Sequence, residues 1–239
     1  MSIFFLNSYN VSSQNFIADT SAKTSALKSA LNLYNQFFSP PTGLYNGSEY
    51  TYNAYYPFKI NEGDPFFQSQ HFVAGAVFYN DVLYENTLLL YDIVKDELLI
   101  HDPTNIYVIR LNNQRIGGFT ISGHTFIRLN MDTANTAVLN TGFYEVLYNG
   151  NVALYKKVSK LLFDRTSTTE INKYTVESNK YFIKKGNNYF AVKNKKSLPL
   201  LMSNKKREVQ QFIRNNKLNF RKAEEDYLVK TVAYYDFLN

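Results

Sequence analysis

Between about residues 50 and 193 the chain alternates short runs of Val, Ile, Leu, Tyr and Phe with clusters of Asn, Gly, Asp and Pro. Runs of this length, bounded by turn residues, predict strands. They fall at 50–60, 71–79, 82–92, 97–101, 105–111, 116–121, 124–129, 142–148, 151–158, 171–176, 180–185 and 188–193. No helical period interrupts them, so consecutive strands are expected to pair as an antiparallel meander, closed as a barrel or folded as a sandwich. The period differs at both ends. Over 21–38, Ala26, Leu27, Ala30, Leu31, Tyr34 and Phe37 recur at helical spacing, and Pro40-Pro41 ends the pattern. Beyond Pro199, Val209, Phe212 and Ile213 mark a helix over 204–216 that Ser203 or Asn204 can cap. Leu228, Val232, Tyr235 and Leu238 mark a second helix over 223–238. Its first turn, Glu224-Glu225-Asp226, suits the positive end of a helix dipole, whereas Lys205-Lys206-Arg207 opposes that of the preceding helix.

Two turns carry specific chemistry. Asn149-Gly150 is the residue pair of a type I′ hairpin, because both central positions need a positive φ. That turn predicts Tyr144 opposite Tyr155, Val146 opposite Ala153 and Leu147 opposite Val152. Both faces of this pair carry large apolar groups, which predicts strands covered on both sides. Gly186-Asn187 suits a type II′ turn between 181–185 and 188–193. The polar run 164–169 is the best candidate linker, dividing a main β domain (15–164) from a C-terminal hairpin-plus-helices part (165–239) packed on it. Tyr-Asn-Gly occurs at 45–47 and 148–150 without a regular spacing, so no repeat array is present.

Composition strengthens the β reading: 20 Tyr and 19 Phe among 239 residues favour pleated, half-buried surfaces. The absence of Cys excludes disulfides, thiolate metal sites and a Cys nucleophile. Charge divides unevenly. Residues 1–149 hold 7 Lys and Arg against 12 Asp and Glu, a net −5, while residues 150–239 hold 19 against 8, a net +11. A basic half attracts anionic partners or simply forms a solvated surface. Lys205, Lys206, Arg207, Arg214, Lys217, Arg221 and Lys222, interleaved with Phe212 and Phe220, are the candidate anion-binding residues.

Other chemistry is sparse. His71, His101 and His124 show no ligand spacing, so neither a metal nor a cofactor is expected. Asp92, Asp96, Glu97 and Asp102 cluster, and paired carboxylates could hydrolyse glycans or lipids; the alternative is that they serve a hairpin turn. No GxSxG, SxxK, P-loop or GxGxxG motif is present, so no catalytic residue is assigned. No apolar run reaches the length of a membrane helix.

Leu44-Tyr45-Asn46-Gly47-Ser48-Glu49-Tyr50, Asp64-Pro65-Phe66-Phe67 and the segments 91–98, 142–150 and 205–222 occur in that order. In these segments the chain resembles a group of exported, β-rich proteins of Bacteroidetes-type bacteria that have no established activity. The resemblance implies a β-rich envelope or secreted protein made with a signal peptide. Residues 1–14, with the run Ile3-Phe4-Phe5-Leu6 before Ser12-Ser13-Gln14, read as the tail of such a signal or as an ordinary first strand. The first places the mature chain in the periplasm or outside the cell, the second in the cytoplasm. The expected function is non-catalytic, by binding or structural contact with an envelope protein or acidic glycan. A carboxylate hydrolase is the alternative, and a polyanion binder without sequence-specific nucleic-acid recognition the second alternative. The sequence does not fix an oligomeric state.

Overall fold

Turn chemistry sets most of the hairpins. In the computed structural model the described residues are 43–104, 106–130, 138–166 and 171–239, with the side chains of residues 199, 200 and 203 not included. The expected helix over 21–38 and the segment 1–14 lie outside the described residues. Strand β3 (Val73–Tyr79) turns into β4 (Val82–Asp92) through Asn80 and Asp81, whose φ values are 50° and 63°. Strand β7 (Ile116–Ile121) turns into β8 (His124–Leu129) through Ser122 and Gly123, at 51° and 80°. Two consecutive positive φ values are what a two-residue type I′ turn demands.

The remaining strands are β1 (Ser48–Glu49), β2 (Ile60–Glu62), β5 (Glu97–His101), β6 (Val108–Arg110), β9 (Gly142–Asn149), β10 (Val152–Thr166), β11 (Ile171–Lys185) and β12 (Asn188–Val192). They form one sheet in the order β1-β6-β5-β4-β3-β7-β8-β9-β10-β11-β12, with β2 added to β11 in parallel. All other pairs are antiparallel. The fold is therefore mainly β, as expected. The path is open at β1 and β12 and does not close into the barrel allowed by the sequence.

Several local expectations are corrected. The expected strand 50–60 is a short helix α1 (Tyr52–Tyr55) followed by β2, because Tyr50 and Tyr56 both point at Asp92. The runs 151–158, 171–176 and 180–185 are parts of two 15-residue strands, β10 and β11, paired from Val152↔Lys185 to Thr166↔Ile171. Asp164, Arg165 and Thr166 belong to β10, so the boundary drawn at 164/165 falls inside a paired strand. The β9–β10 hairpin forms, but in another register: Leu154 faces Tyr148 and Tyr155 faces Val146, with a bulge between them. Neither Asn149 nor Gly150 has a positive φ. Instead, Asp236 accepts hydrogen bonds from the backbone N–H groups of Asn151 (3.1 Å) and Val152 (3.0 Å) and from the Tyr148 hydroxyl (3.0 Å). A side chain at position 150 would collide with Asp236 Oδ2, which explains the glycine there. At Gly186-Asn187 the two-residue loop is as expected, with Lys185 opposite Asn188 and Gly186 at φ 59°.

The main core is one face of the sheet. Val77, Tyr79, Leu89, Tyr91, Leu98, Ile100, Phe119, Ile121, Phe126 and Phe143 sit at alternate positions of β3, β4, β5, β7, β8 and β9, and all are buried. Tyr91, Phe119, Phe126 and Phe143 meet at ring-centroid distances of 5.0–6.0 Å. Aromatic pairs at such separations contribute more than their buried area alone.

A second core joins the C-terminal helices to the sheet. Helices α2 (Ser197–Leu201), α3 (Lys206–Asn215) and α4 (Glu224–Phe237) cover Val152, Leu154, Tyr181 and Ile183 with Leu198, Val209, Leu228 and Val232. Ala153, Tyr155 and Phe182 pack on the other side, so β10 is covered on both faces here, as its sequence implied. Leu228 and Val232 are fully buried, and Phe212 and Ile213 are half-buried, as the amphipathic pattern predicts. Helix α3 begins later than expected: Ser203 and Asn204 lie in a 3-10 turn, and Lys205 holds the N-cap position without a side-chain hydrogen bond.

Candidate functional site

The residues that suggested catalysis are spent on structure. Asp92 ends β4 fully buried and accepts hydrogen bonds from Tyr50 (3.1 Å), Tyr56 (2.8 Å) and the N–H groups of Val94 and Lys95. Burial raises its carboxyl above the usual value, and those hydrogen bonds hold the rise down. Asp96, at φ 60° in the β4–β5 turn, pairs with Lys157 at 2.7 Å. Glu97 pairs with Arg110 at 2.9 Å. Asp102 closes its own loop, and its carboxyl is pushed down to about 2 by the Thr104 hydroxyl and the N–H groups of Tyr107, Thr104 and Ile106. Each of the four therefore has a turn or strand-end role.

The histidines are dispersed. His71 is exposed, His101 lies 4.1 Å from the ring of Phe72, and His124 contacts Glu145 (2.5 Å) and Gln68 (2.9 Å). Among the described residues no three His, Asp or Glu gather as metal ligands do.

The basic C-terminal end differs. Helix α3, the loops on either side of the helices and the start of α4 enclose a concavity of about 680 Å³. On α3, Lys206, Gln210 and Ile213 line it, spaced i, i+4 and i+7 along one side of the helix. The end of α3 builds the floor. Leu218 N–H bonds to Ile213 O and Lys217 N–H to Arg214 O, with Lys217 at φ 52°. This is a Schellman ending, which brings its C″ and C3 side chains, Leu218 and Ile213, together. Asn219 Oδ1 then accepts the N–H groups of Arg221 and Lys222, fixing the turn that presents Phe220. Phe220 meets Tyr227 edge-on at 5.4 Å, and all four apolar groups belong to the second core.

The rim is cationic: Lys195, Lys196, Lys206 and Arg221, all exposed. Asn194 and Ser197 brace the loop that carries the first two, since Ser197 Oγ accepts from the N–H groups of Lys193 and Asn194, and Asn194 Oδ1 from that of Lys196. Among the described residues no carboxylate lines the concavity. Among the described residues none of the four rim cations has a carboxylate within ion-pair distance. Of the three acids that start α4, Glu225 holds Lys156 at 2.7 Å and Asp226 holds Lys230 at 2.9 Å, while Glu224 is exposed and forms no ion pair among the described residues.

Of the seven basic residues singled out in the sequence, Lys206 and Arg221 line this site, while Lys205, Arg207, Arg214, Lys217 and Lys222 do not. On the helix, which turns 100° per residue, Arg207 and Arg214 both lie about a quarter-turn round from Lys206, beyond the side that lines the site. Lys195 and Lys196 were missed. Their Lys-rich run is visible in the sequence, but only the fold brings it beside α3. Comparison of the chain with protein-family models, with curated proteins and with solved structures gave no match.

Proposed function

We propose that this protein works by binding rather than by catalysis, and that the concavity at its C-terminal end takes an anionic ligand. The observation that carries the reading is a rim of four cations with no neutralising carboxylate, set over an apolar floor. Like charges held close together without counter-charges repel one another, and an anion removes that cost. The acidic residues offer no comparable opening, since Asp92 is held by Tyr56, Asp96 by Lys157 and Glu97 by Arg110, and Asp102 is bonded within its own loop. The reading extends to an exported or envelope-associated protein whose anionic partner is an acidic glycan or an envelope component. Mass spectrometry of natively produced protein tests export, and a chain retaining Met1 in a cytoplasmic fraction would refute that part.

Binding is tested by salt titration with heparin and with two unrelated DNA duplexes. Binding should be present at about 50 mM salt and fall steeply by about 200 mM, through release of condensed counterions, with no preference between the DNA sequences. Lys195→Glu with Lys206→Glu should weaken it strongly, and Arg207→Glu with Arg214→Glu much less. Equal losses from the two pairs would show that general charge, not the concavity, does the binding.

A further inference from the structure

Resting on that reading, we infer that the concavity is a discrete site for one nucleoside polyphosphate, with the base on the aromatic floor and the phosphates on the cationic rim. A bare polyanion uses only the rim. Besides packing in the second core, the floor of Ile213, Leu218, Phe220 and Tyr227 offers contact to a ligand with an apolar or planar part, which a bare polyanion lacks. At about 680 Å³ the space is much larger than an inorganic anion needs and lies within the range of small-molecule sites.

The aromatic geometry favours a planar group. Phe220 and Tyr227 meet edge-on, at 85°, so they do not stack on each other. Phe220 is half-buried, anchored in the second core and still part of the cavity wall. A base stacked there gains contact without displacing a ring partner. Two side-chain amides, Gln210 and Asn219, also line the space. Asn219 has its oxygen committed to backbone N–H groups, which leaves its amide N–H groups to donate. Gln210, which carries no hydrogen bond among the described residues, offers both a donor and an acceptor to the edge of a base. Four unpaired cations match the charge of a di- or triphosphate, which one surface lysine does not.

The test is calorimetric titration of the full chain with ATP, GTP, inorganic triphosphate, adenosine and heparin at low salt. ATP should bind about 5- to 150-fold more tightly than inorganic triphosphate, the increment of one stacked base. Adenosine should bind weakly. Phe220→Leu should erase that advantage, and Lys206→Glu should weaken ATP and heparin together. Inorganic triphosphate binding as tightly as ATP overturns the nucleotide site while leaving the anion-binding reading in place. Binding of neither heparin nor ATP overturns both. The comparison of ATP with inorganic triphosphate uses the unaltered chain, so it decides the matter even if Phe220→Leu fails to fold.

Discussion

Replacing Tyr56 by Phe removes one hydroxyl and leaves the ring, and its cost should depend on pH. Asp92 is 0 % exposed, and among the described residues no cation lies within ion-pair distance of it. Its charge is held by two tyrosine hydroxyls and two backbone N–H groups. Deleting one hydrogen bond to a buried charged group costs about 1.5–3 kcal/mol. For a chain of this size that is a fall in Tm of roughly 3–12 °C. Burial raises the Asp92 carboxyl, while the Tyr56 bond lowers it; without that bond it rises further. A carboxyl whose folded pKa is raised contributes stability at low pH and loses it as pH climbs through that pKa. The loss begins at the same unfolded-state pKa in both proteins but continues to a higher pH, and so goes deeper, in Tyr56→Phe; the gap between variant and parent should therefore widen from pH 4 to pH 7.5. Urea unfolding followed by far-UV circular dichroism at a series of pH values measures it. Tyr50→Phe should behave alike, and the double variant should depart from additivity because both hydroxyls serve one carboxylate. A Tyr56→Phe penalty that is the same at pH 4 and pH 7.5 would refute the charged-acceptor argument.

Two further changes probe the C-terminal part. Asp236→Ala should cost about 2 kcal/mol and speed amide hydrogen exchange at Asn151 and Val152, since that carboxylate holds both N–H groups and the Tyr148 hydroxyl. Unchanged exchange there would contradict the assigned role of Asp236. Lys217→Gly should stabilise the protein by ~0.5 kcal/mol in chemical unfolding, because position 217 has the left-handed φ of 52° that favours glycine.

Strand placement was legible in the sequence. The runs expected at 82–92, 97–101, 116–121 and 124–129 are β4, β5, β7 and β8 to the residue. Two of the three C-terminal helices, α3 and α4, and the inward set of Phe212, Ile213, Leu228 and Val232 were legible for the same reason, whereas the short α2 (Ser197–Leu201) was not expected. Apolar period and turn preference are local properties, fixed by φ, ψ and which face each side chain takes. The basic character of the site was legible too, as charge.

The tertiary structure decided what depends on partners far along the chain. Asn149-Gly150 favours a tight type I′ turn, yet Asp236, 85 residues from Asn151, takes the turn's N–H groups and sets another register. The aromatic run after Tyr50 reads as a strand, yet the buried carboxylate of Asp92 draws in both Tyr50 and Tyr56. Asp164, Arg165 and Thr166 look like a linker, yet pairing with β11, the Lys173–Asp164 ion pair at 2.5 Å and the Arg165–Glu62 pair at 3.0 Å keep them in β10. Lys195 and Lys196 become site residues only because the chain after β12 folds back beside α3. A polar group buried or crowded by folding must find its partner wherever the chain places one, and no local pattern records that distance.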